Sequence, residues 1–128
     1  METQEIHIPP IRLHWSEWYR WEFFLLDART HIRAIRVPNS PGVYEAKIEY
    51  EQARLTIGKA SNLRMRVKQG LVKGKVPHST GERIRKLEDT SKIIIRWAET
   101  DRPSAVEEEL HRNHIETYGD LPKHTIRT

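Results

Sequence analysis

Residues 59–86 hold nine Lys or Arg and a single acid, Glu82, a local net charge of +8. The whole chain carries +4, so the rest of the sequence is net acidic. Positive charge gathered in this way suits a polyanion, most simply the phosphate backbone of nucleic acid. A solvated basic helix face would give the same pattern. Arg64, Lys68, Lys73, Lys75, Arg83 and Arg85 are the candidate backbone contacts, and binding through them should weaken steeply with salt. His78 lies in the same run, in the loop Val76-Pro77-His78-Ser79-Thr80-Gly81, where an imidazole could reach a phosphate as an auxiliary acid or base. Farther on come Glu107, Glu108 and Glu109, then His111 and His114. Glu107, His111 and His114 fall at i, i+4 and i+7, on one helix face. A Glu/His/His metal site there would take every ligand from one helix and lack a fourth, so a partly exposed face is the plainer account. Gly58-Lys59-Ala60 lacks the hydroxyl and the upstream Gly of a nucleotide-binding Walker loop, so ATP chemistry is not indicated.

These residues need a scaffold, and the chain has material for one. Its 128 residues fit one compact domain, and four Trp, four Tyr and two Phe argue against disorder. No apolar run approaches the roughly 20 residues of a membrane span. The start of the sequence shows no signal-peptide pattern, and the expected location is cytoplasmic. Cysteine is absent, which excludes disulfides and thiolate metal sites.

Trp18, Trp21 and Leu25 suit one face of a helix over residues 16–29, with Ser16 as N-cap. That face reads first as core packing and second as an aromatic platform for bases. Residues 31–37 read as a short strand. Pro38-Asn39-Ser40-Pro41-Gly42 is a turn. Strands over 43–48 and 54–58 form a plausible hairpin. Helix periodicity covers 62–72, a Gly/Pro/Ser/Thr loop follows over 74–80, and a short basic helix over 81–88. Residues 92–98 read as a buried strand. The last helix is opened by Pro103-Ser104, spans 105–118, and ends at Gly119 with Pro122 beyond. The expected fold is α+β, with a small, largely antiparallel three-stranded sheet flanked by helices. Residues 1–37 would form an N-terminal extension packed on a core domain over 38–128.

Four pieces combine in this order. Gly42-Val43-Tyr44 starts the first hairpin strand. Thr56-Ile57-Gly58 ends the second. Lys59-Ala60-Ser61-Asn62-Leu63-Arg64-Met65-Arg66-Val67 follows at once, and a Glu-bearing helix lies downstream. With this spacing the sequence resembles the GIY-YIG nuclease superfamily over about residues 38–125. The stretch 56–67 looks particularly like the nuclease domain of the bacterial excision-repair incision subunit.

The resemblance implies a metal-dependent endonuclease acting on DNA, as monomer or homodimer. Tyr44 matches the family's general base, and Lys59 and Arg66 would supply the field that favours its phenolate. Arg66 matches the Arg that binds the phosphate. One carboxylate would hold a single Mg²⁺ or Mn²⁺. Glu-x-x-Leu favours Glu107, with Leu110; a count from Ala105 favours Glu109. Thr56 stands where the family has a second Tyr, and Thr125 or His124 where it has an Asn. These departures keep a second reading open, a nucleic-acid-binding module with weakened catalysis. A third, an interaction protein using Trp15, Trp18 and Trp21, has least support.

Overall fold

The computed structural model describes residues 11–27 and 29–125. It is an α+β fold built on one antiparallel sheet. Strands β1 (Tyr19–Arg20), β2 (Gly42–Ile48), β3 (Thr56–Ala60) and β4 (Ile93–Glu99) lie in the order β1-β4-β2-β3. The sheet thus has four strands where the sequence predicts three; the fourth, β1, comes from the N-terminal segment. The hairpin is present, with Tyr44 opposite Gly58 on β3 and opposite Trp97 on β4. A π helix (Arg64–Val72), helix α1 (Ser79–Leu87) and helix α2 (Pro103–Tyr118) complete the fold. Gly119 ends α2 with φ of 84°, the left-handed conformation that Gly adopts without strain.

Side chains of successive strand residues point to opposite faces, and both faces are covered. On one face Tyr44, Ala46 and Ile95 join Leu63, Val67 and Leu71 of the π-helix region and Ile84 of α1. On the other, Val43 and Ala98 pack with Val106 of α2. This three-layer arrangement leaves β3 at the sheet edge.

The N-terminal segment departs from expectation. The described residues of the stretch 16–29 do not form one helix. Ser16 pairs with β4 instead: its N–H donates to the Trp97 carbonyl at 2.8 Å, and its Oγ accepts from the Trp97 N–H at 3.0 Å. A 3-10 turn, Trp21–Leu25, follows β1 and buries Trp21 and Phe24, while Leu25 is half exposed. Pairing to an open sheet edge satisfies backbone groups and buries two rings, which outweighs a weak helical pattern. Residues 31–37 likewise form no strand, although Val37 is fully buried.

The face of Trp18, Trp21 and Leu25 does not form a free aromatic platform: Trp21 is buried, and Trp18 is engaged together with Trp15. Trp15 and Trp18 hold Arg96 between them, at 4.2 and 4.5 Å from the ring centroids. Arg96 in turn donates through Nε to Glu45 Oε1 at 2.6 Å, and Arg54 Nε lies 3.2 Å from the same oxygen. Glu45 is 3% exposed. Its carboxylate is balanced by two guanidinium groups, and the Trp faces attract those cations through their quadrupoles. Removing one partner of such a cluster leaves the others buried and uncompensated. Glu45→Ala should therefore cost roughly 3 kcal/mol, the low end of the range for broken buried pairs, because both Arg side chains keep some solvent. Urea denaturation measures this, and Arg96→Met in the same background should recover part of the loss.

Candidate active site

A cleft of about 670 Å³ runs along the edge strand β3, between the π helix and α1 on one side and α2 on the other. Tyr44, Thr56, Lys59, Arg66 and Glu107 all line it. They come from four elements: β2, β3, the π helix and α2. The structure thus brings the five positions singled out from the sequence to one cleft. Ser79, Thr80, Ser104, His111 and Thr125 add polar groups to the walls.

Tyr44 reaches the cleft because β3 carries Gly58 beneath it. A Cβ on Gly58 would fall well inside van der Waals distance of Tyr44 Oη, so the ring rests directly on the strand backbone. The residue is only 2% exposed. Burial pushes its phenol pKa up, the Arg66 guanidinium pulls it down, and the Glu107 carboxylate adds to the rise. Lys59 Nζ donates to Ser104 Oγ at 3.1 Å, tying β3 to α2, and the guanidinium that pulls the Tyr44 phenol down is that of Arg66.

His78 stands behind Tyr44, and its role follows from its protonation. The residue caps α1: its Nδ1 accepts from the Gly81 N–H at 2.9 Å. A backbone N–H only donates, so Nδ1 carries no proton. Burial, with Arg66 and Arg85 nearby, lowers the ring pKa to about 4, so the imidazole is neutral at pH 7. Its one proton is therefore on Nε2, which lies 3.0 Å from Tyr44 Oη. His78 donates to Tyr44 and does not take its proton. A donor aimed at the phenol oxygen favours the phenolate, and it leaves the phenol's own hydrogen for a group in the cleft. Sequence reading places His78 near the phosphate; the link to Tyr44 is the part it misses. The signal was a His immediately before Ser-Thr-Gly-Glu, at the cap of a helix.

The acidic cluster separates cleanly. Glu107 faces the cleft, and among the described residues it has no ion-pair or hydrogen-bond partner. Glu108 lies 4.0 Å and Glu109 2.7 Å from Arg112, away from the cleft. One uncommitted carboxylate in a polar cleft suits a hard divalent ion that keeps most of its waters. The Glu/His/His arrangement does not form. His114 is buried, accepts at Nε2 from the Arg54 N–H and donates at Nδ1 to the Asp120 carbonyl. His111 donates its Nε2–H to the Ile57 carbonyl at 2.9 Å. No group of three or more His, Cys, Asp or Glu able to hold a metal occurs among the described residues.

Thr56 and Thr125, at the two departures from the family pattern, meet across the cleft wall. Their hydroxyls are 3.5 Å apart, and the Ile57 N–H donates to Thr125 Oγ1 at 3.3 Å. The adjacent His124 is buried near Glu88 and does not line the cleft. The basic residues do not make one surface. Arg85 donates to the Gly70 and Leu71 carbonyls at 2.9 and 2.6 Å, and Arg83 to the His124 carbonyl, so both fasten the fold. Arg64, Lys68, Lys73 and Lys75 line a separate cleft.

Two outcomes are expected. Gly58→Ala should displace the Tyr44 ring, read as altered Tyr44 side-chain NMR shifts with the overall fold retained. His78 binds its proton less readily folded than unfolded, so acidification from about pH 6.5 toward 4 should destabilise the protein. His78→Asn keeps a capping oxygen but removes the titrating ring, and should flatten the stability slope in that window. Urea midpoints measured from pH 4 to 8 check this.

No protein-family model matches the sequence, and no curated protein matches it. The chain is similar to solved structures of the GIY-YIG N-terminal endonuclease domain of UvrC from Thermotoga maritima, each a point mutant bound to its catalytic divalent cation. One is 24% identical with a TM-score of 0.45, covering 71% of this chain and 88% of that one. A second has the same identity and coverage and a TM-score of 0.43. A third is 23% identical with a TM-score of 0.45, covering 83% of this chain and 93% of that one.

Proposed function

We propose that this chain is an endonuclease that hydrolyses phosphodiester bonds in DNA with the help of one divalent cation, Mg²⁺ or Mn²⁺. The observation that carries the reading is the convergence of Tyr44, Arg66 and Glu107 on one cleft. A phosphodiester needs a base for the attacking water, positive charge for the developing oxyanion and stabilisation of the leaving alkoxide. Tyr44, as phenolate, takes the proton of the water. His78 keeps its Nε2–H on the phenolate oxygen and stabilises that form. Arg66 binds the phosphate through two parallel N–H donors and also favours the Tyr44 phenolate. Lys59 is exposed at the rim, held toward α2 by Ser104, where it meets the phosphate next to the scissile one. Glu107 would hold the cation, which when bound supplies Lewis-acid stabilisation at the leaving oxygen.

The Thr56–Thr125 contact favours a second reading. Two hydroxyls that face each other offer a water or phosphate less reach than a Tyr and an Asn. In that reading the cleft binds nucleic acid without cutting it.

Cleavage of labelled single-stranded, duplex and branched DNA, in Mg²⁺, Mn²⁺ or EDTA, separates the two. Metal-dependent cutting that falls by roughly a hundredfold or more in both Tyr44→Phe and Glu107→Ala is expected, with Glu109→Ala near wild type. The wild-type rate should climb between about pH 7 and 9, because the raised Tyr44 pKa leaves little phenolate at neutrality. Salt-sensitive binding with no cutting on any substrate would favour the binding module.

A further inference from the structure

A second cleft, of about 760 Å³, lies apart from the first and shares none of its lining residues. Arg29, Arg36, Arg64, Lys68, Lys73 and Lys75 line it. Among the described residues Asp27 is the one acid in that lining, and its carboxylate already sits 3.5 Å from Arg29 Nε. Lys68 is buried, with its Nζ donating to the Ile35 carbonyl at 3.0 Å and, among the described residues, no carboxylate paired with it. Its ammonium is disfavoured by burial and then by the charges of Lys73 and Arg64. Folding has therefore gathered like charges that repel one another, an arrangement that a bound polyanion relieves.

The position of this cleft says what kind of polyanion. The π helix stands between the two clefts, with Arg66 in one and Arg64 and Lys68 in the other. Residues two apart on a helix do not share a face. A helix with its side chains is roughly 10–12 Å across. That distance equals about three steps of a nucleic-acid strand at about 3.4 Å each. One polymer can occupy both clefts; a single nucleotide cannot.

We propose that the second cleft binds the phosphate backbone of the nucleic acid beyond the scissile bond, so that the substrate is a strand or arm passing the π helix; this rests on the nucleic-acid function proposed above. Arg36, Lys73 and Lys75 contact successive phosphates. Lys68 and Arg64, each anchored to a backbone carbonyl, form the floor.

The test is a binding titration by fluorescence anisotropy on a labelled duplex, in EDTA, across a salt series. The proteins are wild type, Arg36→Gln/Lys75→Gln, and the charge-preserving Arg36→Lys/Lys75→Arg. For every phosphate no longer neutralised, the plot of log K against log salt should flatten by about 0.9. The Gln pair should therefore lower the slope magnitude by about 1.8, and the charge-preserving pair should restore it. An unchanged slope and affinity in the Gln pair would overturn the proposal. So would inorganic tripolyphosphate that, at equal phosphate concentration, displaces the strand from wild type but not from the Gln pair, which would assign the cleft to a free polyphosphate. Cutting is not needed for this readout. A wild type that binds with a variant-sensitive slope but never cuts would refute hydrolysis and sustain the second cleft. One that cuts, with a slope the Gln pair does not change, would do the reverse.

Discussion

Tyr44 Oη sits 3.0 Å from His78 Nε2, and much of the site's geometry is tied to that contact. His78 can donate there only because the Gly81 N–H occupies its other nitrogen. That bond is also the cap of α1, so the start of a helix and the protonation of the ring beside Tyr44 are one and the same constraint. Tyr44 can lie where it does only because Gly58 has no side chain beneath it. Strand β2, strand β3 and helix α1 are thus mutually fixed around one phenol oxygen. Arg85 extends the same unit by bonding the Gly70 and Leu71 carbonyls of the π helix, the element that carries Arg66.

A different balance of charge holds the opposite face of the sheet. Glu45 and Tyr44 are neighbours on β2 and point to opposite sides. Tyr44 meets an open polar cleft. Glu45 is closed off under Arg96 and Arg54, with Trp15 and Trp18 over those cations. The N-terminal Trp residues therefore belong to the scaffold. They help to neutralise a buried carboxylate and close the outer face of β4, leaving positive charge at the site to Arg66 and Lys59.

The two clefts give the π helix a further role. Its carbonyls bond partly one residue farther along than in an α-helix, as in the bond from the Lys73 N–H to the Lys68 carbonyl at 3.1 Å. Such widened turns occur often at functional sites. Here the element separates Arg66 from Arg64 and Lys68 and presents cations on two sides. Its buried residues Val67 and Leu71 keep it against the sheet while both sets of charges face the clefts.

Much of this was legible in the sequence. The turn at Pro38–Gly42, the alternation in β2 and the apolar run Ile93-Ile94-Ile95 locate the central strands, because period-2 patterning and turn chemistry are local properties. Gly119 and Pro103 mark the ends of α2 for the same reason. The types and order of Tyr44, Arg66 and Glu107 were enough to single out three residues that line one cleft. Other features depended on contacts between segments far apart in the chain. The Trp18-Trp21-Leu25 spacing suits a helix, yet an open edge on β4 took the segment as a strand and a short turn. Glu107 and Glu109 both stayed open as the metal ligand in the sequence; in the structure Arg112 engages Glu108 and Glu109 and Glu107 faces the cleft. One basic run divided into carbonyl anchors, a catalytic Arg candidate and a second cleft completed by Arg29 and Arg36 from far upstream. Local sequence determined which residues are available and on which elements they lie; which of them meet was decided by tertiary packing, because a charge or a hydroxyl takes its role from the partner that burial brings to it.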